Sequence, residues 1–164
     1  MSNNVFFNST EQALINALSE AAIIGITDKS GILIYVNKKF VDISGFKRDE
    51  LIGKNHRILN SGFHPASFFE KMYKTIYSGE SWSAEIRNKT KDGEFYWVDS
   101  KIIPIMDEKT NDIKYIVSIR FDITEKKKTE NALIHLEKLA TIGELEAAVA
   151  HEVNNPLQII DLEL

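Results

Sequence analysis

Glycines at positions 31, 45, 53, 62, 79 and 93 cut the first part of the chain into short pieces, whereas between Thr124 and Gly143 neither glycine nor proline occurs. A chain interrupted that often cannot build long helices, because glycine and proline weaken or end them. Residues 125–164 consist mostly of strong helix formers. The pattern predicts a domain of short elements ending at Thr124, followed by one long helix.

The pieces differ in period. Ser9-Thr10-Glu11-Gln12 has capping-box spacing, and Leu14, Ala17, Leu18 and Ala21 recur behind it at helical intervals. Ile23–Thr27 and Ile32–Val36 are strand-like, and Asp28-Lys29-Ser30-Gly31 turns between them as a hairpin. Lys38–Ile43, Arg48–Ile52 and Ala66–Tyr77 read as short helices. Ser81–Lys89, Glu94–Ile105 and Ile113–Ile123 read as three further strands, turned at Lys91-Asp92-Gly93 and over 107–112. The expected fold class is α+β, a five-stranded antiparallel sheet with short helices on one face. The expected limits are a cap helix over 1–21, the sheet domain over 22–124, a coiled-coil linker over 125–140 and a further helical domain starting at 141 and running to 164.

Strand alternation assigns faces. Over Ser81–Lys89 the residues Trp82, Ala84, Ile86 and Asn88 share the face expected to be buried, which turns the amide of Asn88 inward. Buried amides need partners. Over Ile113–Phe121 both faces are largely apolar, with Tyr115, Val117, Ile119 and Phe121 on one and Ile113, Ile116 and Ser118 on the other. Such a strand is expected to be covered on both sides, its outer face by the helix over 10–20 or by a partner subunit.

Composition removes several function classes. The net charge is −4 and the basic residues are scattered, so no nucleic-acid footprint is present. Lys126-Lys127-Lys128 is short and followed by Glu130, as in a solvated helix start. The absence of cysteine excludes disulfides, thiol redox chemistry and cysteine adducts, and is compatible with a cytoplasmic location. No apolar run approaches the ~20 residues of a membrane span. Met1 reads as a natural start, so no membrane segment is expected upstream, and no metal site is expected.

Tyr35-Val36-Asn37, Ser44-Gly45-Phe46, Asp49-Glu50-Leu51-Ile52-Gly53, Lys91-Asp92-Gly93 and Asp122-Ile123-Thr124 occur in the order found in PAS domains, so residues 12–124 resemble that family. The resemblance implies a sensory pocket between sheet and helices, and dimerisation. Gly53–Asn60 resembles the flavin loop of blue-light (LOV) PAS domains, with His56 where those place the reactive cysteine. Asn88 matches a flavin-contacting asparagine, Arg120 stands where those domains carry a glutamine, and Val98 where they carry a second asparagine. The missing thiol excludes the LOV photoadduct. The same loop, with Ser81-Trp82-Ser83, also resembles flavin-binding redox-sensing PAS domains. The cofactor the resemblance implies is FAD or FMN, with Asn55, His56, Arg57, Trp82, Asn88 and Arg120 as candidate contacts. In this reading Arg57 meets a pyrophosphate and Trp82 stacks on the ring. Haem on His56 or His64 ranks behind flavin, and an empty structural pocket is the further alternative.

At the other end, His151-Glu152-Val153-Asn154-Asn155-Pro156 resembles the phosphoacceptor box of sensor histidine kinases. On a wheel of ~100° per residue, Leu139, Ile142, Val149, Val153, Leu157, Ile160 and Leu164 share one side and His151 falls opposite, exposed. A neutral imidazole can attack a γ-phosphate while Glu152 takes or orients the proton on its other nitrogen. Asn155, one turn on, is expected from the resemblance to orient a water for aspartyl-phosphate hydrolysis. Pro156 cannot bond the carbonyl of Glu152 and is expected to loosen the helix there. Leu133, Leu136, Ala140 and Gly143 form a coiled-coil seam out of phase with the later stripe, which resembles a stutter.

The implied protein is a cytoplasmic two-component sensor kinase acting as a parallel homodimer. Its partners are a response-regulator receiver domain and its own ATP-binding domain, which brings ATP and Mg. Residues 1–164 alone lack that domain and are expected to be inactive. The alternative is a non-catalytic ligand-binding and dimerisation module, including a flavin-based redox or light sensor.

Overall fold

The computed structural model describes the backbone of residues 9–160, and side chains at 13 and over 15–152. The elements are α1 (Ser9–Ala21), β1 (Ile23–Thr27), β2 (Leu33–Val36), α2 (Lys38–Ser44), α3 (Arg48–Leu51), a 3₁₀ turn (His56–Leu59), α4 (Ala66–Tyr77), β3 (Trp82–Lys89), β4 (Phe95–Met106), β5 (Ile113–Asp122) and α5 (Thr124–Ile160). The strands form one sheet in the order β2-β1-β5-β4-β3. Every neighbouring pair is antiparallel. The α+β expectation holds. The chain divides into two compact units, one ending at Thr124 and one beginning at Glu125.

Sequence boundaries shift by a residue or two, and the reasons are local. Ile32 leaves β2 to make an isolated bridge with Asn55, across the chain rather than along the hairpin. The 3₁₀ turn at His56–Leu59 was not expected. It forms because Asn55 caps it, accepting the Arg57 N–H at 3.0 Å on its side-chain oxygen, as asparagine does at helix starts. Pro104 is tolerated inside a sheet because pairing with β3 ends at Trp82↔Ile102, short of it.

The inner face of the sheet carries the core. Phe40, Leu33, Leu51, Leu59 and Val98 are at most 1 % exposed and cluster with Ile23, Val36, Ile86 and Tyr96. A second cluster joins Met72 and Ile76 of α4 to Ile102, Ile113 and Ile116. Gly25 lets these layers close. A Cβ there would stand 3.0 Å from Phe40 Cε2 and 3.1 Å from Ser118 Oγ. Gly25→Ala is therefore expected to destabilise the domain by about 1–3 kcal/mol, the usual penalty of overpacking. Urea unfolding of the two proteins measures it directly.

Asn37 ties the first helix to the sheet. Its Oδ1 accepts from Ile24 N and Phe40 N at 3.0 Å each, and its Nδ2 donates to the carbonyls of Ser19 at 3.0 Å and Ala22 at 2.7 Å. This anchors the end of α1 beside β1 and α2, and the outer face of β5 stays partly open. Tyr115 is 39 % and Phe121 52 % exposed, so the expected cover by this helix is incomplete in the single chain.

At the passage from β5 into α5, Asp122 makes the helix start. Its Oδ1 accepts from Thr124 N at 2.9 Å and from Thr124 Oγ1 at 2.6 Å. Thr124 Oγ1 in turn accepts from Trp97 N at 3.0 Å. The hydroxyl is drawn to β4 because that strand's N–H lies within reach, and the carboxylate takes over the helix start.

Candidate functional site

Alternation along β3, β4 and β5 turns a set of polar residues to the inner face: Asn88, Ser100, Ser118 and Arg120, all 5 % exposed or less. α4 and the 3₁₀ turn stand over this face and border a partly open cavity of about 400 Å³. Its walls are Phe69, Met72, Ile76, Ile86, Ile102 and Ile116, and its polar groups include Thr27, His56, Arg57, Asn60, Glu70, Tyr73, Asn88, Ser118 and Arg120. Mostly apolar walls with a few convergent polar groups are the usual build of a small-molecule site.

The candidate residues divide. His56, Arg57, Asn88 and Arg120 line the cavity, whereas Asn55 and Trp82 do not. Asn55 is committed to its own loop. Its amide nitrogen donates to the Ser30 carbonyl at 3.1 Å, and its oxygen takes both the backbone N–H and the Nε of Arg57. Trp82 is half-buried and turned toward Phe68, ring centroids 5.1 Å apart and edge-on. Val98 is fully buried in the core. His64 also lies outside the cavity walls, with Nε2 accepting from Arg87 N at 3.0 Å and its ring stacked on Phe68 at 4.2 Å. Tyr73, Ser118 and Thr27 line the cavity and were not anticipated, because alternation along single strands says nothing about which inward side chains border a void.

Electrostatics single out two groups. Arg120 is 3 % exposed and its Nε has no hydrogen-bond partner among the described residues. Its guanidinium lies 5.8 Å from the Phe40 ring centroid. Burial lowers its pKa to about 10. Tyr96 moves the other way, pushed up to about 12 chiefly by burial, with Asn88 as its side-chain hydrogen-bond partner. The Nε2 of His56 is likewise enclosed and unpartnered, and its ring stands edge-on to Phe40. Burial first, and the charge of Arg120 second, hold this imidazole well below the ordinary histidine pKa, so it is neutral.

That depression makes a pH prediction. The unfolded chain binds a proton at His56 near the reference value of about 6.5, and the folded chain does not. Stability contributed at this position is intact above that value and falls as pH drops through it toward the depressed folded pKa. Unfolding free energies measured between about pH 7.5 and 5.5 are expected to fall, and His56→Gln to flatten that slope. An unchanged slope in the variant would place the proton uptake elsewhere.

A flavin is only partly suited to this cavity. The apolar walls and the buried amide of Asn88 match one. The charge does not, because an oxidised flavin ring is neutral and leaves Arg120 uncompensated, and Trp82 lies outside the walls.

In the second unit, α5 continues through Pro156 to Ile160. His151 and Glu152 are both exposed on it. The side chain of Asn155 lies outside the described residues. Leu133, Leu136, Leu139, Ile142, Leu145 and Val149 are each more than half exposed. Among the described residues no group of three or more His, Cys, Asp or Glu is arranged to hold a metal. No described helix is long and apolar enough to cross a membrane.

Residues 19–125 match the sequence profile of a PAS domain. The chain belongs to the PAS domain family. Among its relatives is the aerotaxis receptor of Escherichia coli K12, 30 % identical over 108 residues, which are 66 % of this chain and 21 % of that protein. The signal transduction histidine-protein kinase AtoS of the same organism is 32 % identical over 136 residues, 81 % of this chain and again 21 % of the relative. The chain thus spans about a fifth of the length of these relatives. Among solved structures, the LOV domain of the Erythrobacter litoralis EL346 blue-light activated histidine kinase superposes with a TM-score of 0.57 at 29 % identity, covering 63 % of this PAS chain and 96 % of that domain. A PAS fold whose relatives include sensor histidine kinases is therefore established.

Proposed function

We propose that this chain is the sensory input and phosphoacceptor portion of a two-component histidine kinase. The observation that carries the reading is covalent continuity. β5 delivers Arg120 to the cavity, the Asp122–Thr124 cap follows two residues later, and α5 then runs unbroken to an exposed His151 beside Glu152. A ligand that changes the pocket acts on the strand from which the phosphoacceptor helix grows.

The chemistry is phosphoryl transfer. A ring nitrogen of His151 attacks the γ-phosphorus of Mg-bound ATP held by a separate ATP-binding domain, a P–N bond forms, and ADP departs with the electrons of the broken P–O bond. Glu152 takes or orients the proton on the opposite ring nitrogen, which raises nucleophilicity. The phosphoryl group then passes to a receiver-domain aspartate, and Asn155 orients the water that later hydrolyses that acyl phosphate. The exposed apolar stripe of α5 supports a parallel homodimer. A cytoplasmic location belongs to the same reading.

The test is to supply a histidine-kinase ATP-binding domain and ATP, and to map acid-labile phosphate by mass spectrometry. Phosphate on His151 that moves to a receiver domain supports the reading; its absence from His151 sinks it. A non-catalytic sensor module with FAD or FMN is the second reading, favoured by the buried Asn88 amide and by the similarity to a LOV domain. The visible spectrum of the purified protein reads it out.

A further inference from the structure

We propose that the cavity is a receptor site for an apolar monocarboxylate whose acid group is received by Arg120. The proposal rests on the sensory reading above and names its ligand class. A guanidinium taken out of water demands a counter-charge, because an isolated buried ion is among the most costly groups a fold can hold. Arg120 is 3 % exposed, yet among the described residues no carboxylate lies within ion-pair distance of it. Its Nε has no hydrogen-bond partner among the described residues. Glu70, the carboxylate on the cavity wall, is exposed and makes no ion pair with it.

The missing charge matches one kind of ligand. The planar fork of arginine pairs with a carboxylate through two parallel hydrogen bonds. A second unpartnered group stands nearby, the enclosed Nε2 of His56, whose ring is close enough to Arg120 to feel its charge. In the tautomer protonated at Nε2 it donates to the same acid group. The rest of the lining is mostly apolar, with Met72, Ile86, Ile102 and Ile116 forming its walls beside the neutral polar groups Thr27, Asn60, Tyr73, Asn88 and Ser118 and the exposed Arg57 and Glu70. A second carboxylate would have only Arg57 to meet it, which is exposed and whose Nε already donates to Asn55, whereas a six-carbon chain or a phenyl ring would fill the apolar walls.

The test uses hexanoate and benzoate against their uncharged counterparts hexanamide and benzamide, by calorimetry and thermal shift on the purified chain. The carboxylates are expected to bind saturably and at least about tenfold more tightly than the amides, a charge-assisted pairing being worth at least that factor. Arg120→Met is expected to abolish the preference while folding at least as stably as the parent, since removing an uncompensated buried charge relieves the fold. Arg120→Lys is expected to keep the preference for acid over amide with weaker affinity.

Any of the following results would overturn the proposal. One is equal binding of acid and amide, another is no saturable binding of either carboxylate, and the third is an unchanged preference in both Arg120 variants. A flavin that co-purifies and, once released, leaves no carboxylate binding would also overturn it. Each readout is a binding constant taken without phosphotransfer, so failure here and failure of the kinase reading are seen separately.

Discussion

His151→Gln is expected to leave no acid-labile phosphate on the chain when an ATP-binding domain and ATP are supplied, a loss of at least about a thousandfold, as for removal of a covalent nucleophile. Glutamine keeps the helix, having good helix propensity, and cannot form a stable P–N intermediate. Because His151 is exposed on α5 and far in sequence from the sheet, thermal unfolding of the first unit should not change. Glu152→Gln is expected to fall between, slowing phosphorylation by about 10²-fold or more while leaving the acceptor in place, since positioned acid–base groups typically contribute that much. The rate of acid-labile incorporation, compared across the three proteins, checks both. Phosphate persisting on the glutamine variant at a comparable rate would show that another residue is the acceptor.

Asn37→Ala is expected to destabilise the sensor unit by about 3–4 kcal/mol, because truncation leaves several buried backbone groups without partners at about 1–3 kcal/mol each. Asn37 is 2 % exposed and serves two donors and two acceptors, so the amide is fully used. It caps α2 through Phe40 N and simultaneously holds the end of α1 to β1. Asn37→Asp retains the acceptors but turns a carboxylate against the carbonyls of Ser19 and Ala22, so it should rescue little near neutral pH and more in acid. Equilibrium unfolding in urea, read at two pH values, separates these effects. A loss below about 1 kcal/mol for the alanine variant would show that water replaces the amide, as it does for exposed polar groups.

Much of this fold is legible in the sequence. The glycines at 31, 45, 53, 62, 79 and 93 all adopt positive φ, which is why they end or turn the elements around them. Alternation in β3 correctly places Ile86 and Asn88 inside. What periodicity cannot supply is depth and company. Trp82 shares the inward face with Asn88, yet its ring turns toward Phe68 of α4 and not toward the cavity. Asn55 belongs to the same loop as His56 and Arg57, yet its amide is consumed in capping that loop.

The sequence by itself determined the order of strands and α-helices and the break at Thr124, and it supplied the motif around His151 on which the proposed phosphotransfer rests, because these depend on local propensity, turn chemistry and motif. Only the tertiary structure decided that Arg120 is buried with no counter-charge among the described residues. Such isolation depends on the carboxylates of every other element being elsewhere, and that is a property of how strands and helices converge around one void, not of any segment alone.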